Sequence, residues 1–385
     1  MTSMRSVYVT GCSAFLPNDP IPNDRIDAVL GEMPSRYTAL KRRVLASNGI
    51  QSRHYAIDPD TRAFTHSNAS LTAEAIRRLC ADTDFPIERL QCLACGTSSA
   101  DQVIPGHASM VHAELAAPAC ETISPAGVCC SGVSALKYGF LSVAAGLADN
   151  AIATGSELAS PTLRASHFRA QLRLLADQPE DHPLLPFSNA FLRWMLSDGA
   201  GAVLVQPRPA EHGPSLRVDW IDLLSYASES DVCMHFGLQK QDDGSMQGYR
   251  TIDDEKALWR GGFLSLAQDV QVLNARLPPL MRKALAHTIR ARELQADAID
   301  WLLPHYSSQF FRKPLESACV ELGFPVPTER WFSNLQTKGN TGSASIYVML
   351  DELVSSGELK AGQRILCMVP ESSRMLFAFM HFTVV

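Results

Sequence analysis

Long hydrophobic runs are missing from this 385-residue chain. No stretch approaches the ~18 apolar residues that a membrane-spanning helix needs, so no membrane span is expected. The opening segment MTSMRSVYVTGCSAFLPNDP lacks an apolar core of the signal-peptide kind and reads as a first strand, which leads to an expected cytoplasmic location. Basic blocks are missing too. With 34 Lys and Arg against 40 Asp and Glu, the formal net charge is −6, which argues against a nucleic-acid partner. Nor is there a disulfide framework: the ten cysteines are scattered through apolar segments, as in a protein kept reduced. The single CxxC, Cys92 and Cys95 in LQCLACGTSS, lies in a strand-like segment, where positions three apart face opposite sides. No second pair completes it, so no metal site is expected there and both are read as buried strand cysteines. What remains is apolar bulk. A chain 46% hydrophobic and 19% charged has none of the bias that marks disorder.

Strand-like and helix-like segments alternate along most of the chain, which predicts an α/β layered fold. SVYVTGCSAF, LQCLACGTSS, AIATGSE and DGAGAVLVQP read as strands. SLTAEAIRRLCADT reads as a helix with Ser70 as a candidate cap, and SGVSALKYGFLSVAAGLADN as a closely packed small-residue helix. PRPAEHGPS (207–215) is the best candidate linker, dividing an N-terminal half, 1–206, from a C-terminal half, 207–385. The second half repeats the order: a long helical segment that Pro278 and Pro279 should break or kink, the strand IDWLLPHYSS, a small-residue helix after Asn340, and the strand RILCMVPESS. IERLQCLACGTSS lies over AIDWLLPHYSS. The separations from Gly96 to Cys130 and from His305 to Asn340 then agree to within one residue. A duplicated unit would bring strand ends and helix starts from both halves to one central site.

Three residue types converge at those ends. Cys130 stands at a helix start, where the dipole should favour thiolate, the attacking species in acyl transfer. His305 follows a strand and is held extended by Pro304; Asn340 sits in KGNTGSAS between glycines that let the backbone bend around a ligand. Each has an ordinary reading alone: a packed small residue, a hydrogen-bonded core histidine, a turn asparagine. Their coincidence at matched ends of a repeat argues for a site.

Together CSGVSALKYGFLSVAAGLADNAIATGSE, WLLPHYSSQ and KGNTGSASIYVMLDELVSSGELKAGQ resemble the type III β-ketoacyl-acyl-carrier-protein synthases of the thiolase superfamily, and GIQSRH and SDGAGAVL extend the likeness over nearly the whole chain. The resemblance implies a thiolase-like fold of five layers, αβαβα, built from two duplicated halves, and a homodimer. It implies that Cys130 is the nucleophile, with Cys129 packed inertly behind it, and that His305 and Asn340 promote decarboxylation. An acyl group from a carrier-protein or coenzyme A thioester would load onto Cys130, aided by an oxyanion hole that includes the Cys130 N–H. A malonyl-type or β-ketoacyl partner would then be joined by Claisen condensation. No metal, nicotinamide or flavin is needed.

Several positions depart from the family pattern. Arg43 and Ser47 stand where primary-metabolism members place a tryptophan and an arginine against coenzyme A, which tilts the donor towards an acyl carrier protein. After His305 the usual asparagine and arginine are replaced, although Arg312 and Lys313 lie close enough to meet an acidic carrier protein. PESSRM replaces a glycine-rich turn, so Ser372 and Ser373 must form the turn another way. The segment 160–196 is a long insertion expected to reshape the tunnel. In DQVIPGH, Ile104 aligns with a residue that the family inserts into the partner's tunnel, and it is apolar rather than the glutamate base of non-decarboxylating relatives. These departures predict a condensing enzyme of secondary metabolism, making a polyketide- or alkylresorcinol-type product. The alternatives are a non-condensing acyltransferase on the same fold, which could dispense with Asn340, and a silent subunit of a heterodimer, which should lack a member of the triad.

Overall fold

Nine strands join edge to edge in a computed structural model that describes residues 4–168, 191–241 and 243–385. They are β1 (Tyr8–Phe15), β2 (Cys92–Thr97), β3 (Glu121–Ile123), β4 (Ala151–Glu157), β5 (Gly199–Gln206), β6 (Leu216–Ser225), β7 (Trp301–Pro304), β8 (Arg364–Glu371) and β9 (Leu376–Val384). The order is β7-β8-β9-β6-β1-β5-β4-β2-β3. This single ladder is two half-sheets joined at a corner, because β1 meets β6 only at Tyr8↔Arg217 and Val9↔Leu216.

The halves repeat one another. In the first, β2 runs parallel to β4, and β4 antiparallel to β5. In the second, β7 runs parallel to β8, and β8 antiparallel to β9. Parallel strands covered on both faces should be apolar at every position, and Cys92–Thr97 and Ala151–Glu157 are buried throughout. Cys92 and Cys95 are both fully buried and unpaired.

Helices complete the five layers. On the outer face of the first half-sheet lie α1 (Asn68–Asp82) and α2 (His107–Leu115), packing Leu71, Ile76 and Val111 against Leu93 and Ile152. Between the half-sheets lie α3 (Cys129–Ala144) and α6 (Ser345–Ser355). On the far face α4 (Val270–Arg292) and α5 (Arg312–Glu321) pack Leu277, Met281 and Leu315 against Leu302, Leu366 and Phe379. The alternation of β7 is explicit: Leu302 faces the outer cluster and the next residue, Leu303, faces the central one.

Two local expectations change. The cap of α1 is Ser67, not Ser70: Ser67 and Ser70 form a reciprocal capping box, with Ser70 at the third helical position. And α4 runs unbroken through Pro278 and Pro279. The prolines remove two helical N–H donors, but the carbonyls that lose them, at Asn274 and Ala275, belong to exposed residues where water can replace the bond. Most of the 160–196 insertion, residues 169–190, lies outside the described residues.

Candidate active site

The centre of the molecule holds a cavity of about 1180 Å³. That exceeds the usual range of small-molecule pockets, ~300–1,000 Å³. Its walls come from both halves: Ser98, Val128 and Glu157 from the first, and Met281, Leu315 and Phe379 from the second. Cys129, His305 and Asn340 line it together. Each is carried there by an element end, as the duplicated order requires: α3 starts at Cys129, β7 ends one residue before His305, and Asn340 leads into the single turn Gly342–Ala344 that precedes α6.

His305 is 5% exposed, and its main-chain N–H donates to the Met368 carbonyl at 2.8 Å. Its ring has no hydrogen-bond partner among the described residues, and burial pushes its pKa down to about 4, so the imidazole is neutral at ordinary pH. Asn340 is fixed by its backbone: its N–H donates to the Met195 carbonyl, and its own carbonyl accepts from Ser197. Its Oδ1 accepts from the Gly342 N–H at 3.0 Å, leaving Nδ2 as a donor without a partner among the described residues. Two neutral, unsatisfied hydrogen-bonding groups thus face one apolar space, an arrangement suited to holding developing negative charge on an oxygen.

The cysteine pair differs from expectation. Cys129 lines the cavity, while Cys130 is fully buried one layer behind it. The Cys130 Sγ contacts the carbonyl of Val369, itself a wall residue, at 3.2 Å. Successive helical side chains point about 100° apart, so a helix that begins at Cys129 aims that thiol at the cavity and the next one at β8 and β9. The thiols are not depressed in pKa either: burial, then the charge of Glu371, hold both well above the usual range. The Cys130 N–H, expected in an oxyanion hole, donates to Glu371 Oε2 at 3.0 Å, as does the N–H of Val128.

Glu371 and Glu157 are the two functional-site residues that the sequence reading missed. Each is the last residue of a buried strand, in AIATGSE and ILCMVPE, where an acid has no solvated face; that position was the available signal. Glu157 Oε1 accepts from the hydroxyls of Ser98 and Ser99 at 2.5 Å each, and its Oε2 accepts from the Ser343 N–H at 3.2 Å. It ties the ends of β2 and β4 to the approach of α6, and burial raises its pKa. Gly342 sits at φ 53°, and a Cβ there would lie 2.1 Å from Glu157 Oε2, so any side chain would displace that carboxylate.

The remaining candidates are spread around this centre. Ser372 lines the cavity and accepts from Gln268 Nε2 at 2.7 Å, while Ser373 donates its hydroxyl to Glu371 Oε1 at 2.5 Å. The glycine-free turn is made by Met375 at φ 57°. Ile104 is 80% exposed on a loop whose neighbour Val103 lines the cavity. Arg312 and Lys313 open α5; Arg312 stacks over Trp331 and Lys313 is exposed. Arg43 and Ser47 are exposed and away from the cavity wall.

Residues 42–210 match the β-ketoacyl synthase N-terminal domain, and 289–369 match the 3-oxoacyl-(acyl-carrier-protein) synthase III C-terminal domain. The chain is a β-ketoacyl synthase III-like protein. A β-ketoacyl-(acyl-carrier-protein) synthase III of Neisseria gonorrhoeae is 22% identical over 94% of this chain and 95% of its own length. That of Acaryochloris marina is 24% identical, over 93% of this chain and 91% of the relative. Among solved structures, the tetronic acid condensing enzyme AbyA1 superposes with a TM-score of 0.75 at 19% identity, covering 98% of this chain and 99% of that one. OleA of Xanthomonas campestris, solved with lauric acid and lauroyl-CoA, gives 0.74 at 17% identity, covering 99% of each chain. This synthase III-like chain therefore has the thiolase-like fold, and by its family it is an acyltransferase. Among the described residues no helix is long and apolar enough to cross a membrane.

Proposed function

We propose that the protein joins two acyl thioesters by decarboxylative Claisen condensation in a polyketide- or alkylresorcinol-type secondary pathway. The observation that carries the reading is that Cys129, with Cys130 directly behind it, His305 and Asn340 meet at one large apolar cavity. In the first step the thiol of Cys130, the position matching the family motif, attacks an acyl thioester. The acyl–sulfur bond to the donor breaks, the donor leaves as a thiol, and an acyl-cysteine remains. A malonyl-type thioester then loses carbon dioxide, and the electron pair left on its α-carbon delocalises onto the thioester oxygen. His305 and Asn340 Nδ2 donate to that oxygen. The carbanion attacks the acyl-cysteine, the C–C bond forms, and the cysteine departs with the electron pair of the C–S bond and regains a proton.

The volume and apolar lining suit a medium-chain acyl group, and the half-buried Arg312 with the exposed Lys313 at the start of α5 suits an acidic carrier protein as donor. Strand β3 ends the sheet with an open edge near the exposed Val103 and Ile104, which supports a homodimer. A cytoplasmic location fits these thioester substrates.

A second reading of the nucleophile has its own observation: Cys129, not Cys130, is on the cavity wall. Intact-protein and peptide mass after incubation with a medium-chain acyl thioester separates them, comparing wild type, Cys129→Ser and Cys130→Ser. An adduct that survives Cys129→Ser and vanishes in Cys130→Ser establishes Cys130; the reverse pattern transfers the role to Cys129. No adduct on any form, with carrier-protein and coenzyme A donors both tried, overturns acyl loading. Carbon dioxide release with a malonyl donor then distinguishes condensation from simple acyl transfer.

A further inference from the structure

The first turn of α3 is already occupied by an anion. The N–H groups of Val128 and Cys130 both donate to Oε2 of Glu371, at 3.0 Å each, and the Ser373 hydroxyl donates to Oε1. Glu371 is 5% exposed and makes no ion pair among the described residues, so helix N–H groups and one hydroxyl are its hydrogen-bond partners. The free N–H groups at the start of a 16-residue helix form the natural seat for a negative charge. An oxyanion formed by attack of a thiol of this pair on a thioester carbonyl would call on main-chain donors of this kind. Two negative oxygens cannot share them.

We propose that Glu371 is a removable occupant of the oxyanion position, a positioning residue that holds the resting site closed and must swing away before the cysteine pair is acylated. The inference rests on the acyl-loading reading given above. The backbone around Glu371 is anchored: the Ser373 carbonyl accepts from the N–H groups of Cys233 and Met234, and Ser372 from Gln268. Rotation of the Glu371 side chain is the movement that remains. Gly127 presents no side chain to the carboxylate, where a Cβ would stand 3.4 Å from Oε2. Seated, the carboxylate also disfavours a thiolate at Cys129 and Cys130. The other charged group facing Cys129 is Glu157, and His305 stays neutral.

Two variants of the full chain separate charge from occupancy. Glu371→Gln keeps an acceptor oxygen on the amides but removes the charge; Glu371→Gly removes both. Iodoacetamide alkylation, mapped peptide by peptide at Cys129 and Cys130 from pH 7 to 10, reads the thiols without any acyl substrate. Both variants should react about tenfold faster at any given pH within this range, the change expected for a fall of about one unit in thiol pKa. Only Glu371→Gly should also take an acyl group faster than wild type once rates are corrected for thiolate fraction. An unchanged alkylation profile in both variants, with the thermal transition intact, overturns the inference. So does slower acyl loading in a folded Glu371→Gly protein, which would make the carboxylate a required partner. Should alkylation respond as expected while no form accepts an acyl group, the hold of Glu371 on the pair stands and acyl loading is the reading that falls.

Discussion

In the proposed reaction His305 and Asn340 divide the chemistry with the thiol pair, and that division can be measured. Removing either donor should leave the loading step untouched and withdraw half of the support from the enolate. His305→Ala and Asn340→Ala should each cut malonyl decarboxylation by roughly 10²–10³-fold while the acyl adduct still forms by mass. Because burial holds the His305 pKa at about 4, it gains a proton only in strong acid. Decarboxylation by acylated enzyme should therefore show no limb near the usual imidazole value of about 6.5. A pH–rate profile with a limb near 6.5 would mean that His305 is solvated in the working enzyme. At this scale the sequence was readable for His305 and Asn340, whose places follow from element ends. The cysteines were harder. Which of two neighbours meets the cavity depends on where α3 begins, and a one-residue change in a helix start turns a side chain by about 100°. Glu371 stood out only as an acid at the end of a buried strand; its partners could not be read, because they are amides 241 and 243 residues away.

Among the elements, α3 fits its surroundings closely. A Cβ at Gly132 would stand 2.4 Å from the Ser343 carbonyl and 3.0 Å from the Tyr347 ring, while the Tyr347 hydroxyl donates to the Gly132 carbonyl at 2.8 Å. The helix can approach α6 this closely only through glycine. Gly132→Ala should cost about 1–3 kcal/mol by overpacking, read as a lower urea midpoint with an unchanged slope. Ser67→Ala, which removes the reciprocal cap of α1, should cost about 1 kcal/mol in the same assay. Strands were the most legible elements: AIATGSE in the sequence is Ala151–Glu157 in the structure, because a strand buried on both faces is built of small, mostly uncharged residues. The α4 prolines do not break the helix, because the carbonyls they orphan are on exposed residues, and that depends on which face meets water.

For the whole molecule, the duplicated order was visible in the matched separations of Gly96–Cys130 and His305–Asn340, and it survives as the shared parallel-then-antiparallel pattern of the half-sheets. The tunnel shape was not visible, since its walls come from residues spread along the chain. Global stability should carry the mark of a second buried imidazole, His107, whose pKa burial lowers to about 4. Between that value and about 6.5 the unfolded chain binds the extra proton, so stability rises with pH through this window and is lost as pH falls. The loss attributable to His107 at pH 5 is about 2 kcal/mol. His107→Asn should accordingly be less costly at pH 5 than at pH 7.5 by about that amount in paired urea titrations. The corner where the half-sheets meet has a last consequence. Only two residue pairs join β1 to β6, while side chains of the two central helices pack into both half-sheets. The two units are thus held by interlocking surfaces, with the covalent tie at 207–215 running over the outside, where Glu211–Pro214 are exposed. A chain cut in that loop should stay together as a non-covalent pair and keep its chemistry, so the gene could be divided there into two cistrons.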